Sequence, residues 1–389
     1  MKNLCVVTSS RADYGLIKLL LKKINSSKYL KLNLIVTGTH LSSKYGYTYK
    51  EILSDGFKIK DKINLPIIND SAKNITECLA KSIQKFGKFF NLNNFDSVLI
   101  LGDRYEILGV ACAALINRIP IIHLHGGEKT IGAYDDSFRH SISKMSNLHF
   151  VANTEYKKRL IQLGESPSKI HIVGGLGVDA IRNLKLIKIN QLKNKLKINF
   201  NKKNLLIVFH PVTLQKNMAA KQIKELLNSL QELQNTNLFF TMSNSDSEND
   251  IINKSIRNFV KKNKNSYFFK SLGQENFISL LSYVDAIVGN SSSGIIEAPV
   301  VKTITLNIGN RQKGRLMSKS ILNCNPDKKE IIKNIKKIFS GKFKSNFNNP
   351  YGNGGANKKI ISILENKKIN ISIQKNFYDL PIKILKQIR

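Results

Sequence analysis

The run His123-Leu124-His125-Gly126-Gly127-Glu128, followed by Asp135, Asp136, Arg139 and His140, gathers imidazoles, carboxylates and paired glycines in a short span. It directly follows the apolar residues 119–122, which read as a buried parallel strand. In an open α/β sheet, ligands bind beyond the carboxyl ends of the strands. These side chains are therefore expected to project into a crevice, equipped for acid/base chemistry on a bound ligand. A polar loop with satisfied histidines would explain one such strand end equally well. Several other strand ends in the chain, however, carry the same kind of residues.

Ser9-Ser10-Arg11-Ala12-Asp13-Tyr14-Gly15 closes the first strand and opens a helix, where unpaired N–H groups and Arg11 suit an anion. Leu101-Gly102-Asp103-Arg104-Tyr105-Glu106 ends the most apolar strand of the first half. Asp103 is expected there as a partly desolvated carboxylate with a raised pKa, or as a helix cap that also faces a ligand. His210-Pro211-Val212-Thr213 sets an imidazole at a buried strand tip, stiffened by the proline. Gly289-Asn290-Ser291-Ser292-Ser293-Gly294-Ile295-Ile296-Glu297 reads as a diphosphate cradle at a helix start. Glu297, one turn in, is placed to bind the two hydroxyls of a ribose. Without the Gly-Lys-Ser/Thr of a P-loop, ATP hydrolysis is not expected. Gly309-Asn310-Arg311-Gln312-Lys313-Gly314-Arg315 adds guanidinium groups suited to phosphate. His123 and His125 have the H-x-H spacing of a metal pair, but no further His/Cys pair completes a site, so no metal is expected.

Positioning these strand ends requires alternation of strand and helix, and the chain has it. Residues 4–8, 32–37, 97–101, 119–124, 148–152 and 169–173 read as strands, with helical stretches such as 15–24, 72–90 and 105–116 between them. The pattern resumes at 205–210, 238–242, 267–270, 286–289 and 303–308 after a polar, Lys/Asn-rich stretch. It predicts an α/β protein of two doubly wound, Rossmann-like units facing across a cleft. The expected limits are 1–178, with the acid/base residues, and 179–365, with the nucleotide cradle. Gly175 to Ala180 fits the G-x-G-x-x-A dinucleotide fingerprint, but at the end of an alternating unit it reads as a hinge.

The 389 residues suffice for two cores, and 42% of them are hydrophobic, as in a globular protein. No apolar stretch approaches the roughly 20 residues of a membrane span. The start lacks the apolar core of a signal peptide, and the four cysteines form no C-x-x-C pair, so a reducing cytoplasm is expected. The formal charge of +35 is spread over many elements with no basic arm or nucleic-acid module. Genome composition explains it better than nucleic-acid binding, although the field would attract an anionic substrate.

Seven motifs in order resemble the hydrolysing UDP-N-acetylglucosamine 2-epimerases over nearly the full chain. They are S-S-R-A-D-Y-G, L-G-D-R-Y-E, H-L-H-G-G-E-K-T, D-D-S-F-R-H-S-I-S-K-M-S, F-H-P-V-T, G-N-S-S-S-G-I-I-E and G-N-R-Q-K-G-R. The non-hydrolysing relatives carry H-V-E-A-G-L-R-T in place of H-L-H-G-G-E-K-T. The resemblance implies the GT-B architecture, a UDP-sugar substrate, no metal or NAD, and a homo-oligomer, dimer or tetramer. It also implies a tail, 366–389, that packs back on the first unit.

Carried over by position, Asp103 and Asp135 match catalytic carboxylates, and Arg11, Asp13 and Arg104 face the phosphates or sugar. His210, Asn244, Ser291, Ser292, Glu297 and Arg311 hold UDP. Some members carry a catalytic glutamate where this chain has His125, leaving His125 itself or Glu128 to act. The implied reaction is hydrolytic 2-epimerisation of UDP-N-acetylglucosamine to N-acetylmannosamine and UDP, for sialic acid biosynthesis. UDP-N,N′-diacetylbacillosamine, on the route to legionaminic acid, is the neighbouring substrate. A GT-B glycosyltransferase is a further alternative.

Overall fold

The computed structural model describes residues 1–69, 71–130, 134–212, 218–242, 249–369 and 371–381. Thirteen strands form two all-parallel sheets among the described residues. The first sheet contains β1 (Lys2–Thr8), β2 (Leu30–Thr37), β3 (Ile59–Ile63), β4 (Ser97–Leu101), β5 (Ile121–Leu124), β6 (Leu148–Val151) and β7 (Ile170–Ile172), in the order β3-β2-β1-β4-β5-β6-β7. The second contains β8 (Lys203–Val208), β9 (Thr236–Thr241), β10 (Ser266–Phe269), β11 (Ala286–Gly289), β12 (Ile304–Ile308) and β13 (Ile321–Cys324), in the order β10-β9-β8-β11-β12-β13. Each order reverses once, beside β1/β4 and beside β8/β11, which makes both sheets doubly wound. The edge strands β3 and β13 escape the sequence pattern: Ile-Lys-Asp-Lys-Ile is mostly charged, and Ile-Leu-Asn-Cys is short.

Parallel strands buried on both faces need apolar side chains at odd and even positions alike, and these have them. Leu4 and Val6 of β1 pack with Ile17, Leu20, Leu21 and Ile24 of helix Arg11–Asn25 on one face. Cys5 and Val7 pack with Phe86, Phe90, Val110 and Ala114 of the helices Ala72–Asn91 and Tyr105–Ile116 on the other. In the second sheet, Leu205 and Ile207 lie in one core layer, and Leu206 and Val208 in the opposite one.

The chain divides into two compact units: 1–128 with 134–180 and 354–389, and 129–133 with 181–353. The return to the first unit thus begins at 354, earlier than the expected 366, and takes helix Ala356–Glu365 with it. The reason is packing: Ala356, Ile360 and Leu364 join the same core layer as Leu20 and Leu21. Asp179, in the segment that mimics a dinucleotide fingerprint, accepts the Asn357 amide at 2.7 Å and its Nδ2 at 2.9 Å, anchoring the start of that helix.

The tail beyond it is held on the same unit. Asn147 Nδ2 donates to the carbonyls of Ser372 and Ile373 at 2.9 and 3.1 Å, and the Tyr378 amide donates to Gly164 O at 2.9 Å. Lys375 Nζ donates to both oxygens of buried Glu165 at 2.9 Å, and His149 Nε2 lies 3.0 Å from Glu165 Oε2. Burial works against the Glu165 charge, but His149, Lys375 and Lys144 together hold its carboxyl down to about 2. No described helix is long and apolar enough to cross a membrane.

Candidate active site

In the first unit the predicted residues collect at the carboxyl ends of β1, β4 and β5. The β1 exit is closed by a capping box: Ser10 Oγ accepts the Asp13 amide, and the Asp13 side chain accepts the Ser10 amide at 3.1 Å. Asp13 also accepts from the Ser9 amide at 2.9 Å and from the Thr8 hydroxyl at 2.5 Å. Although burial raises its pKa, hydrogen bonds from His40, Thr8 and Ser9 bring the carboxyl below its usual range. Asp13 is 7% exposed with both oxygens engaged, and it organises the turn. Arg11, by contrast, reaches outward to Glu51 in an exposed pair at 3.2 Å.

At the β4 exit, Arg104 pairs with the fully buried Glu106 carboxylate, and Glu106 keeps the guanidinium cationic against the cost of burial. Asp103 meets a partner from another element. Its Oδ2 accepts from Nη2 of buried Arg139, so the carboxylate sits against a full positive charge. The pKa of Asp135 is pushed up to about 6 by burial first and then by the charge of Asp103. Arg139, four residues after Asp135 on helix Asp135–Met145, belongs to the run singled out in the sequence but was given no role there. Its signal was present, since four residues puts both side chains on one helix face.

β5 contributes two histidines with opposite fates. His123 is fully buried; Nε2 donates to Gly102 O at 2.8 Å and Nδ1 accepts from Ser143 Oγ at 3.0 Å. Burial holds it down to about 3, so it is neutral and serves as a brace. His125 lies one residue past the strand with φ +65, a backbone conformation that costs energy and is retained mostly at functional positions. The Leu176 amide approaches its Nε2 at 3.4 Å, which assigns the proton to Nδ1 for donation to Glu128 Oε1 at 3.0 Å. Gly126 is needed where it is, because a Cβ there would meet Ser143 Oγ at 2.9 Å and His123 Nδ1 at 3.0 Å.

In the second unit, the reversal between β8 and β11 is bridged by a reciprocal pair. The His210 amide donates to Asn290 Oδ1 at 2.7 Å, and Asn290 Nδ2 donates to His210 O at 2.8 Å. Gln312 Nε2 and Arg311 Nη1 both donate to Asn290 O, at 2.8 and 3.3 Å, which brings the basic loop to this strand end. His210 is held down to about 3 by burial and then by the Arg311 charge, leaving a neutral imidazole. Ser291 caps helix Ser292–Ile296 by accepting the Ser293 amide at 3.2 Å. That helix has only five residues, so anion attraction here comes from local N–H groups and Arg311 more than from a macrodipole. Glu297 follows it, its pKa raised by burial and partly restored by Ser293. Asn244 lies outside the described residues.

Two doubly wound parallel sheets, each with charged or hydrogen-bonding groups at its strand-order reversal, define an α/β enzyme of the two-Rossmann-unit class. The model of the UDP-N-acetylglucosamine 2-epimerase family matches residues 22–365, and the chain belongs to that family, on its hydrolysing branch. It is 41% identical over 384 residues to the GDP/UDP-N,N′-diacetylbacillosamine 2-epimerase (hydrolyzing) of Campylobacter jejuni, covering 97% of this chain and 99% of the relative. It is 39% identical to the polysialic acid biosynthesis protein P7 of Escherichia coli, covering 98% of each. In fold it is similar to the UDP-GlcNAc 2-epimerase of Neisseria meningitidis solved with UDP-GlcNAc, with TM-score 0.76, 18% identity, and coverage of 94% and 99%.

Proposed function

We propose that the chain catalyses hydrolytic 2-epimerisation of UDP-N-acetylglucosamine, releasing N-acetylmannosamine and UDP for sialic acid biosynthesis. The observation that carries this reading is a pair of carboxylates held in different surroundings. Asp103 sits against Arg139, while Asp135 is raised to about 6. Two carboxylates in different environments can divide two proton transfers. A base takes the C2 proton, the C1–O bond breaks, and UDP leaves with the bond's electrons, giving 2-acetamidoglucal. Water then adds its oxygen to C1 while a proton returns to C2 from the opposite face. In this scheme Asp103 is assigned to accept the proton, Asp135 to return one, and the His125–Glu128 pair to activate water.

The weakly acidic C2 proton requires that base removal be coupled to stabilisation of the leaving group. Arg11 and Arg104 are assigned to the phosphates or sugar, and His210, Ser291, Ser292, Glu297 and Arg311 to UDP, with Glu297 on the ribose. The polysialic acid relative supports the first substrate. The 41%-identical relative favours a second reading, UDP-N,N′-diacetylbacillosamine, which differs only at C4 and C6 of the sugar.

Incubation with each nucleotide sugar in deuterated water, without metal or NAD, tests both readings by proton NMR. N-acetylmannosamine carrying deuterium at C2, with UDP, is the expected result. Turnover of the diacetylbacillosamine nucleotide alone would transfer the assignment to it. No turnover of either would overturn the reaction.

A further inference from the structure

Arg139 takes no part in the scheme above, yet a guanidinium is buried only where its donors are engaged. Its Nη2 donates to Asp103 Oδ2, and its Nη1 donates to the Glu128 carbonyl at 3.1 Å and to Asp136 Oδ1 at 3.2 Å. These acceptors belong to the β4 exit, the turn after β5 and the first turn of helix Asp135–Met145. Asp135, Arg139 and Ser143 recur at four-residue spacing and share one face of that helix. Ser143 reaches His123, which holds the Gly102 carbonyl, so the backbone before Asp103 is tied to the same face as its carboxylate.

Resting on the epimerase reading, we propose that Arg139 is a positioning residue of the reaction: it fixes the Asp103 carboxylate relative to Asp135 and the His125–Glu128 turn. The planar fork of a guanidinium can serve Asp103 and the Glu128 carbonyl together; a single ammonium cannot match that geometry. The charge has a second effect. Asp103 and Glu106 raise the pKa of Asp135, whereas Arg104 and Arg139 lower it, so removing Arg139 moves it further up.

Arg139→Met and Arg139→Lys, assayed beside the unmodified protein from about pH 5 to about pH 9, test this on whichever nucleotide sugar that protein turns over. In R139M, kcat is expected to fall about a hundredfold, with KM and UDP affinity within about threefold. The pH limb governed by Asp135 is expected to move upward. R139K keeps the charge, so its limb stays in place and kcat falls only about tenfold. A folded R139M with kcat near that of the unmodified protein would overturn the inference, as would losses confined to KM or an unmoved limb. If R139M does not fold, R139K decides, and an unchanged kcat there has the same consequence. An unmodified protein that turns over neither sugar overturns the reaction reading and this inference with it, whereas loss of the inference alone requires an active parent.

Discussion

Asp103 shows how residue type and environment part company. Its position after an apolar strand was legible, but its ion pair with Arg139, which arrives from a separate helix, was not. Asp103→Asn is expected to keep UDP binding within about threefold while turnover falls by about two orders of magnitude. Retained turnover in a folded variant would remove Asp103 from the scheme. Asp135 carries a raised pKa, and that has a stability consequence. Its folded value of about 6 exceeds the ordinary 3.8, so the folded state holds the proton more tightly than the unfolded chain. The resulting penalty is absent at low pH, grows as pH rises from about 4 to about 6, and is complete above that. Asp135→Asn should therefore raise stability to urea at neutral pH, with the gain disappearing near pH 4. A gain independent of pH would refute this origin. His123 and His125 were indistinguishable by spacing; only their partners separate a neutral brace from a side chain paired with Glu128.

At the level of elements, the tail is held by more than apolar packing. Glu165 takes Lys375 on both oxygens and lies against His149, and its carboxyl sits at about 2 against the ordinary 4.5. A lowered pKa stabilises the fold above the unfolded value and loses that contribution as pH falls toward the folded one. Glu165→Gln leaves the partly buried Lys375 without its counter-charge and should cost about 3 kcal/mol at neutral pH by urea denaturation. The deficit should shrink below about pH 4.5. An equal deficit at acid and neutral pH would show that packing, not charge, holds the tail. The apolar strands were legible because both their faces are buried. The charged edge strand β3 and the early return at helix Ala356–Glu365 were not, since an edge needs little hydrophobicity and a helix pattern does not name the core it joins.

At the scale of the whole molecule, the charge of +35 is large enough to act at a distance on an anionic nucleotide sugar. Raising salt from about 0.05 to about 0.5 M shortens the screening length several-fold. KM should rise with salt while kcat stays constant; a KM independent of salt would confine substrate attraction to the local site. The alternation of strands and helices and the sets of polar residues at strand ends were determined by sequence alone. Both follow from local rules: side-chain periodicity sets the element, and the carboxyl end of a parallel strand is where a doubly wound sheet opens. The tertiary structure alone decided which charges meet. It turned Asp13 inward, set Arg139 against Asp103, and raised Asp135 by burying it beside the Asp103 charge. The physical reason is that burial and pairing, which govern a charge's energy, arise between residues distant in the chain, where no spacing rule reaches.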